Sequence, residues 1–263
     1  MDAAALYQSG QLQAAIDAQI QVVKGAPADQ AKRLFLFELA AFAGDLERSR
    51  KQLDAISYES VELQAALSTY RQLLDSEVKR RRWFSEGLAP QYLMDPPNHV
   101  QKRVEAVNRI REGNLAEART LLDEANDELG LISGVLNEKP FAEIRDADDL
   151  FGTVLEVFAR GEYFWVPLEQ VELIAINPPR FPRDLLWIPA RLETIDASGE
   201  VFLPSLYPNS HVHADDQVKL GRMTDWSESD EGPILGQGLR MFLVGDETPS
   251  ILDWRELRIG AAV

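Results

Sequence analysis

The chain contains no cysteine and only three histidines among its 263 residues. Without cysteine there is no disulfide to staple a fold and no thiolate to bind a metal or act as a nucleophile, and the absence is compatible with a reducing compartment. No run of about eighteen apolar residues occurs, so no membrane-spanning helix is expected. The opening stretch MDAAALYQSGQLQAA has neither a basic n-region nor an apolar h-region, so a secretory signal is not expected either. Positive charge is scarce: 27 Lys and Arg face 43 Asp and Glu, a formal net charge of −16. The deficit is uneven, with 17 basic and 21 acidic residues in 1–139 against 10 and 22 in 140–263. Such a C-terminal half repels nucleic acid and anionic membrane and attracts a basic protein surface or peptide.

What is present is enough apolar material, 45% of the residues, to bury more than one core, and the length suggests two domains. Residues 1 to about 130 read as helices. Gly10-Gln11-Leu12 with Ala15, Gly44-Asp45-Leu46 with Ser49, and Gly113-Asn114-Leu115 with Ala118 share a glycine, a leucine two positions on and a small residue five positions on. The first two glycines lie 34 residues apart and the third 69 further on, near twice that period. A 34-residue unit of helix, tight turn and helix is the pattern of tetratricopeptide-like arrays. We therefore expect a TPR-like α-α superhelix over residues 1–135. The repeat due near residue 78 lacks the motif, and Leu63, Leu67, Tyr70, Leu74 and Val78 form one long helical stripe there. Leu34 to Phe42 is apolar on almost every side and is expected to be the buried helix.

Lys79-Arg80-Arg81-Arg82, followed by Trp83-Phe84, is the one dense basic cluster. Phosphate contacts with aromatic stacking are one reading. Four charges in an acidic protein make a poor nucleic-acid footprint, so a partner's acidic patch or this protein's own C-terminal half is the better destination. Gly130 to Pro140 reads as the junction to a second domain, 140–263.

That second domain is expected to be smaller and mixed, with antiparallel strands, giving an α+β fold overall. Leu150, Val154, Leu155 and Phe158 sit at helical spacing behind Asp146 and Asp149, which predicts a short helix ending at Gly161. Tyr163 to Val166 predicts a strand closed by Pro167. Arg191–Ile195 and Val201–Leu203, joined by a glycine-containing loop, predict a hairpin. Leu239–Val244 and Ile251–Ile259 are further strand candidates.

For chemistry, His211-x-His213 with Asp215-Asp216 is the best metal candidate, because imidazoles two apart on an extended segment face one side. A metal-dependent hydrolase or transferase around His211, His213 and Asp215 is the alternative function; solvated histidines in a polar loop are the plainer reading. Gly236-Gln237-Gly238 lacks a third glycine and precedes a strand, and neither a P-loop nor Gly-x-Ser-x-Gly occurs. No catalytic, cofactor or metal residue is assigned. Arg183 and Asp184 read either as a catalytic ion pair or as polar anchors for the Pro178-to-Pro182 loop, the second being favoured, and Asp225-Trp226 admits the same two readings.

The wording of the second half is specific beyond its chemistry. Asp149 with Gly152 and Leu155-Glu156, Gly161-Glu162-Tyr163 with Trp165-Val166-Pro167, Arg183-Asp184-Leu185-Leu186-Trp187 with Pro189-Ala190, Leu206-Tyr207-Pro208, Leu220-Gly221-Arg222 with Thr224-Asp225-Trp226, and Gly236-x-Gly238-x-Arg240 resemble the pattern of the ImpE family, also called SciE or TagJ. The resemblance covers essentially the whole chain. It implies a cytoplasmic, non-enzymatic accessory protein of bacterial type VI secretion systems, associated with the small subunit of the contractile sheath and linked to the ClpV disassembly ATPase. Binding an amphipathic helix of the sheath subunit is the expected mode. Tyr163, Trp165, Arg183, Asp184, Trp187, Tyr207, Arg222, Asp225 and Trp226 are the candidate partner-binding or structural positions.

Overall fold

The computed structural model describes residues 2–227, 229 and 231–260. Seven helices come first: α1 (Ala3–Gln8), α2 (Leu12–Gly25), α3 (Gln30–Phe42), α4 (Leu46–Asp54), α5 (Val61–Glu86), α6 (Asn98–Glu112) and α7 (Leu115–Asp127). Side-chain oxygens of Asp2, Asp29, Asp45 and Ser60 accept first-turn N–H groups and so start α1, α3, α4 and α5. The strands are β1 (Gly134–Leu136), β2 (Lys139–Phe141), β3 (Ile144–Asp146), β4 (Val154–Ala159), β5 (Glu162–Pro167), β6 (Val171–Ile176), β7 (Trp187–Thr194), β8 (Ser198–Pro204), β9 (Thr224–Ser227), β10 (Leu235–Gly238), β11 (Phe242–Val244) and β12 (Glu256–Ile259). A one-turn helix, α8 (Asp216–Lys219), lies between β8 and β9. The fold is α+β. Eight strands form one sheet in the order β2-β1-β12-β6-β7-β8-β4-β5, and β10-β9 and β11-β3 make two small ribbons.

The three glycine motifs share one geometry. Gly10, Gly44 and Gly113 have φ of +78°, +76° and +81°, the left-handed turn that glycine adopts without strain, and they join α1 to α2, α3 to α4 and α6 to α7. Ala15, Ser49 and Ala118 are each fully buried at 0% exposure, where a small side chain lets paired helices approach. The regular 34-residue spacing does not continue through residue 78, because that position lies inside α5, a single helix of 26 residues. The helical part is therefore three hairpins and one long unpaired helix. Leu36 to Phe42 is buried on every side, as its composition requires.

The helix expected behind an Asp146 cap and ending at Gly161 is absent: Asp146 ends β3, and a turn leads from it into β4. Val154 and Phe158 pack with the helices, while Leu155 and Val157 pack in a second core with Val166, Ile174, Ile188, Leu203, Trp254 and Leu257. A strand buried on both faces shows a continuous apolar run, and four-residue spacings within it mimic a helix. Arg160 (φ +52°) and Gly161 (φ +78°) make the two-residue turn into β5. The predicted hairpin forms as β7–β8 with Glu193 opposite Ser198, but its turn is residues 195–197, and Ser198 and Gly199, expected in the loop, pair within β8. The Leu239–Val244 candidate shortens to β11, and Ile251–Ile259 divides into a 3-10 turn and β12.

The motif glycines also differ in a testable way. Gly113→Ala meets nothing within 4 Å, so it should lose only the backbone term, about 1–2 kcal/mol. At Gly44 the added Cβ would fall 2.3 Å from the His211 ring, so Gly44→Ala should lose about 1–3 kcal/mol more. Urea unfolding of both variants against the parent chain measures the difference.

Candidate functional site

Of the basic cluster of α5, Lys79 and Arg80 reach the C-terminal half, while Arg81 stays with the helices and Arg82 pairs with Glu86 on its own helix. Lys79 donates to the Gly161 carbonyl at 2.8 Å and pairs with Glu162, and Arg81 donates to the Gly44 carbonyl at 2.7 Å. Arg80 is buried and grips Glu156 of β4 with two parallel bonds of 2.7 Å, while a third reaches the Leu206 carbonyl. Arg240 donates to the same Glu156 at 2.6 Å and lies 3.4 Å from Asp146. Trp83, on the next turn, packs edge-on against Trp165. Burial pushes the Glu156 carboxyl up, but the Arg80 and Arg240 guanidiniums outweigh it and hold it below its usual range.

The sequence-predicted residues distribute over this seam. Tyr163 donates to Glu156 at 2.6 Å and accepts from the Trp165 indole. Tyr207 donates to Asp146 at 2.7 Å. Arg183 reaches the helices, pairing with Glu38 of α3 and donating to the Tyr70 hydroxyl of α5 at 2.7 Å. Asp184 accepts from the Arg180 and Phe181 N–H groups and so fixes the proline-rich turn. Trp187 packs against Phe37 of α3, Trp226 meets the Tyr207 ring, and Arg222 binds the Tyr7 and Gln8 carbonyls at the end of α1. Asp225 stands apart and pairs with His213 at 3.1 Å.

The metal candidates do not converge. His211 sits in a 3-10 turn, Ser210–Val212, rather than on extended chain, and its ring packs over Gly44. Burial and the nearby Arg81 lower its pKa to about 4, so it is neutral. His213 has both ring nitrogens occupied, one by the Asp225 carboxylate and one by the Asp215 N–H, and the Asp215 carboxylate caps α8. Among the described residues no group of three His, Asp or Glu side chains is arranged to hold a metal ion.

Sequence reasoning missed Asp146, Asp148, Glu156 and Arg103. The one signal was Glu156, the lone charge in the apolar β4. Asp148 accepts from the Leu150 N–H at 2.8 Å and from the Gly236 N–H at 2.6 Å, while Asp149 accepts from Ile234. Two successive carboxylates thus hang the β9–β10 ribbon on the seam. Arg103 donates to the Asp149 and Leu150 carbonyls and to Asn126, tying α6 and α7 to the same loop. Between α5, α6 and β10 a cavity of about 320 Å³ opens, walled by Phe84, Val107, Ile110, Leu150, Phe151 and Leu235, with Asp148, Asn209, Ser227 and Gln237 as its polar side chains. Its size and apolar lining with few polar groups are those of a ligand or side-chain pocket.

Residues 138–258 match the family model described as ImpE protein. The type VI secretion system accessory component TagJ of Pseudomonas aeruginosa PAO1 is 33% identical over 258 residues, covering 98% of this chain and 90% of that protein. The X-ray crystal structure of protein VPA1032 from Vibrio parahaemolyticus aligns with a TM-score of 0.89 at 25% identity, covering 99% of this chain and 98% of that one.

Glu156→Gln removes the carboxylate that two buried guanidiniums share, leaving Arg240 only Asp146 at 3.4 Å and Arg80 only Glu77 at 3.6 Å, and should cost about 3–5 kcal/mol in urea unfolding. Burial and the neighbouring Asp146 raise Asp148 to about 8, against about 3.9 in an unfolded chain. The native state therefore keeps a proton that the unfolded state gives up, so this group's contribution is complete below about pH 4 and is lost as pH rises through 8. Burial likewise raises Asp146, to about 6, with the same sign. Melting temperature should fall across this window, and Asp148→Asn, permanently neutral, should flatten the slope.

Proposed function

Because the chain belongs to the ImpE family, we propose that it is a non-enzymatic, cytoplasmic adaptor of a bacterial type VI secretion system. In this reading it binds the small contractile-sheath subunit through an amphipathic helix of that subunit and modulates how the ClpV ATPase handles the sheath. The relative named TagJ is a type VI secretion accessory component and matches over nearly its full length, which supports the placement. We further read residues 1–135 as a TPR-like superhelical domain and 140–263 as the ImpE-type domain, with the partner helix seated where they meet.

The observation that carries the binding mode is the apolar cavity of the seam. Val107 and Ile110 of α6 stand three positions apart, Phe84 comes from α5, and Leu235 faces them from β10. A helix that presents apolar anchors three or four residues apart fits such a wall. Among the described residues no helix is long and apolar enough to cross a membrane. Arg80, Arg240, Glu156, Tyr163 and Trp165 of the seam are engaged with one another, which suits a scaffold that presents shape and charge.

The test uses the purified small sheath subunit, intact and without its terminal helix. The intact subunit should be retained by the immobilised chain and the truncated one lost. Ile110→Glu should weaken binding roughly tenfold or more while changing the melting temperature little, since that side chain is only partly buried. Retention of neither form would overturn the reading.

A further inference from the structure

Most buried charges of the seam pair off; among the described residues Arg103, 0% exposed and held by carbonyls and Asn126, and Asp148 make no ion pair. Arg80 and Arg240 share Glu156, Arg240 also faces Asp146, and Arg183 holds Glu38. Asp148 is 2% exposed and makes no ion pair among the described residues. Its oxygens meet only the N–H groups of Leu150 and Gly236. A carboxylate oxygen accepts more than one hydrogen bond, so capacity remains on both. The groups facing it are committed elsewhere. Arg103 is held by the Asp149 and Leu150 carbonyls and by Asn126, and Arg119 lies 3.4 Å from Asp149. Arg240 stacks 4.2 Å over Phe151 while bound to Glu156.

This carboxyl group lies in the wall of the cavity between α5, α6 and β10. Most of the remaining wall is apolar, and Phe84 offers an aromatic ring to a cation, the Phe151 ring being stacked by Arg240 already. Apolar walls around an uncompensated acid favour a ligand that brings a positive charge on a hydrocarbon stem. A neutral apolar group leaves the proton on the acid and gains nothing from it, whereas a compact ammonium stabilises the carboxylate form and donates three hydrogen bonds. The acidic balance of residues 140–263 attracts such a group from a distance.

We infer that this cavity receives a lysine side chain of a partner protein, with Asp148 as the counter-ion and the Phe84–Val107–Phe151 wall around the stem. Only the identity of the protein that delivers the lysine rests on the adaptor reading above. In the empty pocket, burial and Asp146 keep a proton on Asp148 up to about 8. Seating an ammonium beside it stabilises the carboxylate, and the proton is released to solvent.

The probe is n-butylammonium, which has the stem and charge of a lysine side chain, set against n-butanol of the same shape. The amide resonances of Leu150 and Gly236, both bonded to Asp148, report occupancy by NMR. Butylammonium should shift them saturably and bind about tenfold or more tightly than butanol. Asp148→Asn should abolish that preference. In the parent chain, saturating butylammonium should also lower the pH at which the Asp148 carboxyl carbon titrates, a measurement that needs no variant. Equal binding of the two probes, no saturable shift, or an unmoved titration would overturn the inference. Butylammonium binding with no retention of the sheath subunit would leave this pocket standing and remove the adaptor reading, and the reverse result would do the opposite.

Discussion

The two parallel bonds between Arg80 and Glu156 set the terms for the rest of the molecule. The residues are 76 positions apart, one on a helix and one on a strand, and neither reaches water. A lone guanidinium or carboxylate left in that place would cost several kcal/mol, so α5 and β4 are stable in this position only together. Arg240 and Tyr163 complete the coordination of Glu156, and Leu206 offers the remaining acceptor for Arg80. The length of α5 follows from the same constraint. One helix must carry Leu67 and Leu74 into the helical core and still deliver Arg80 and Trp83 to the sheet.

Other arginines repeat the device at the edges of the seam. Arg222 binds the last carbonyls of α1, Arg103 binds carbonyls of the Asp149–Leu150 turn, and Arg183 bridges α3 and α5. A planar fork of five donors holds two or three acceptors at fixed angles, which a lysine cannot do. Gly10 and Gly44 fit the same scheme from the helical side. Gln217 and His211 lie where a Cβ would stand, so the turns are docked by the C-terminal half as well as bent by glycine. Gly113 has nothing within 4 Å, and its turn rests on backbone freedom alone.

The sequence made some of this readable and hid the rest for definable reasons. Local signals were dependable: three glycine turns, the β7–β8 hairpin and the strand from Glu162 to Pro167 all stand where residue chemistry placed them. Lys79 and Arg80 do go to the C-terminal half, a direction that followed from excess acid there. The segment from Asp146 to Gly161 was misread because a strand buried on both faces carries no two-residue alternation of polarity. Asp148 and Arg103 were invisible, and Asp146 was read as a helix cap, because their partners lie tens of residues away, which no local period encodes. The ImpE resemblance conveyed the family through motif wording, but it did not indicate which of those residues face each other.

The location of the cavity links folding to recognition. Its walls come from α5 and α6 on one side and from Phe151, Leu235 and Gly236 on the other, so an occupant touches both halves that Arg80 and Glu156 join. Anything that binds the joined arrangement and not a separated one adds RT ln(1 + [L]/Kd) to the stability of the seam. Through Gly236 and Ile234 the β9–β10 ribbon hangs on Asp148 and Asp149, which places that ribbon in the same linkage. Charge neutrality at Asp148, closure of the ribbon and adhesion of helices to sheet are therefore one coupled equilibrium, and a partner that supplies the missing cation acts on all three.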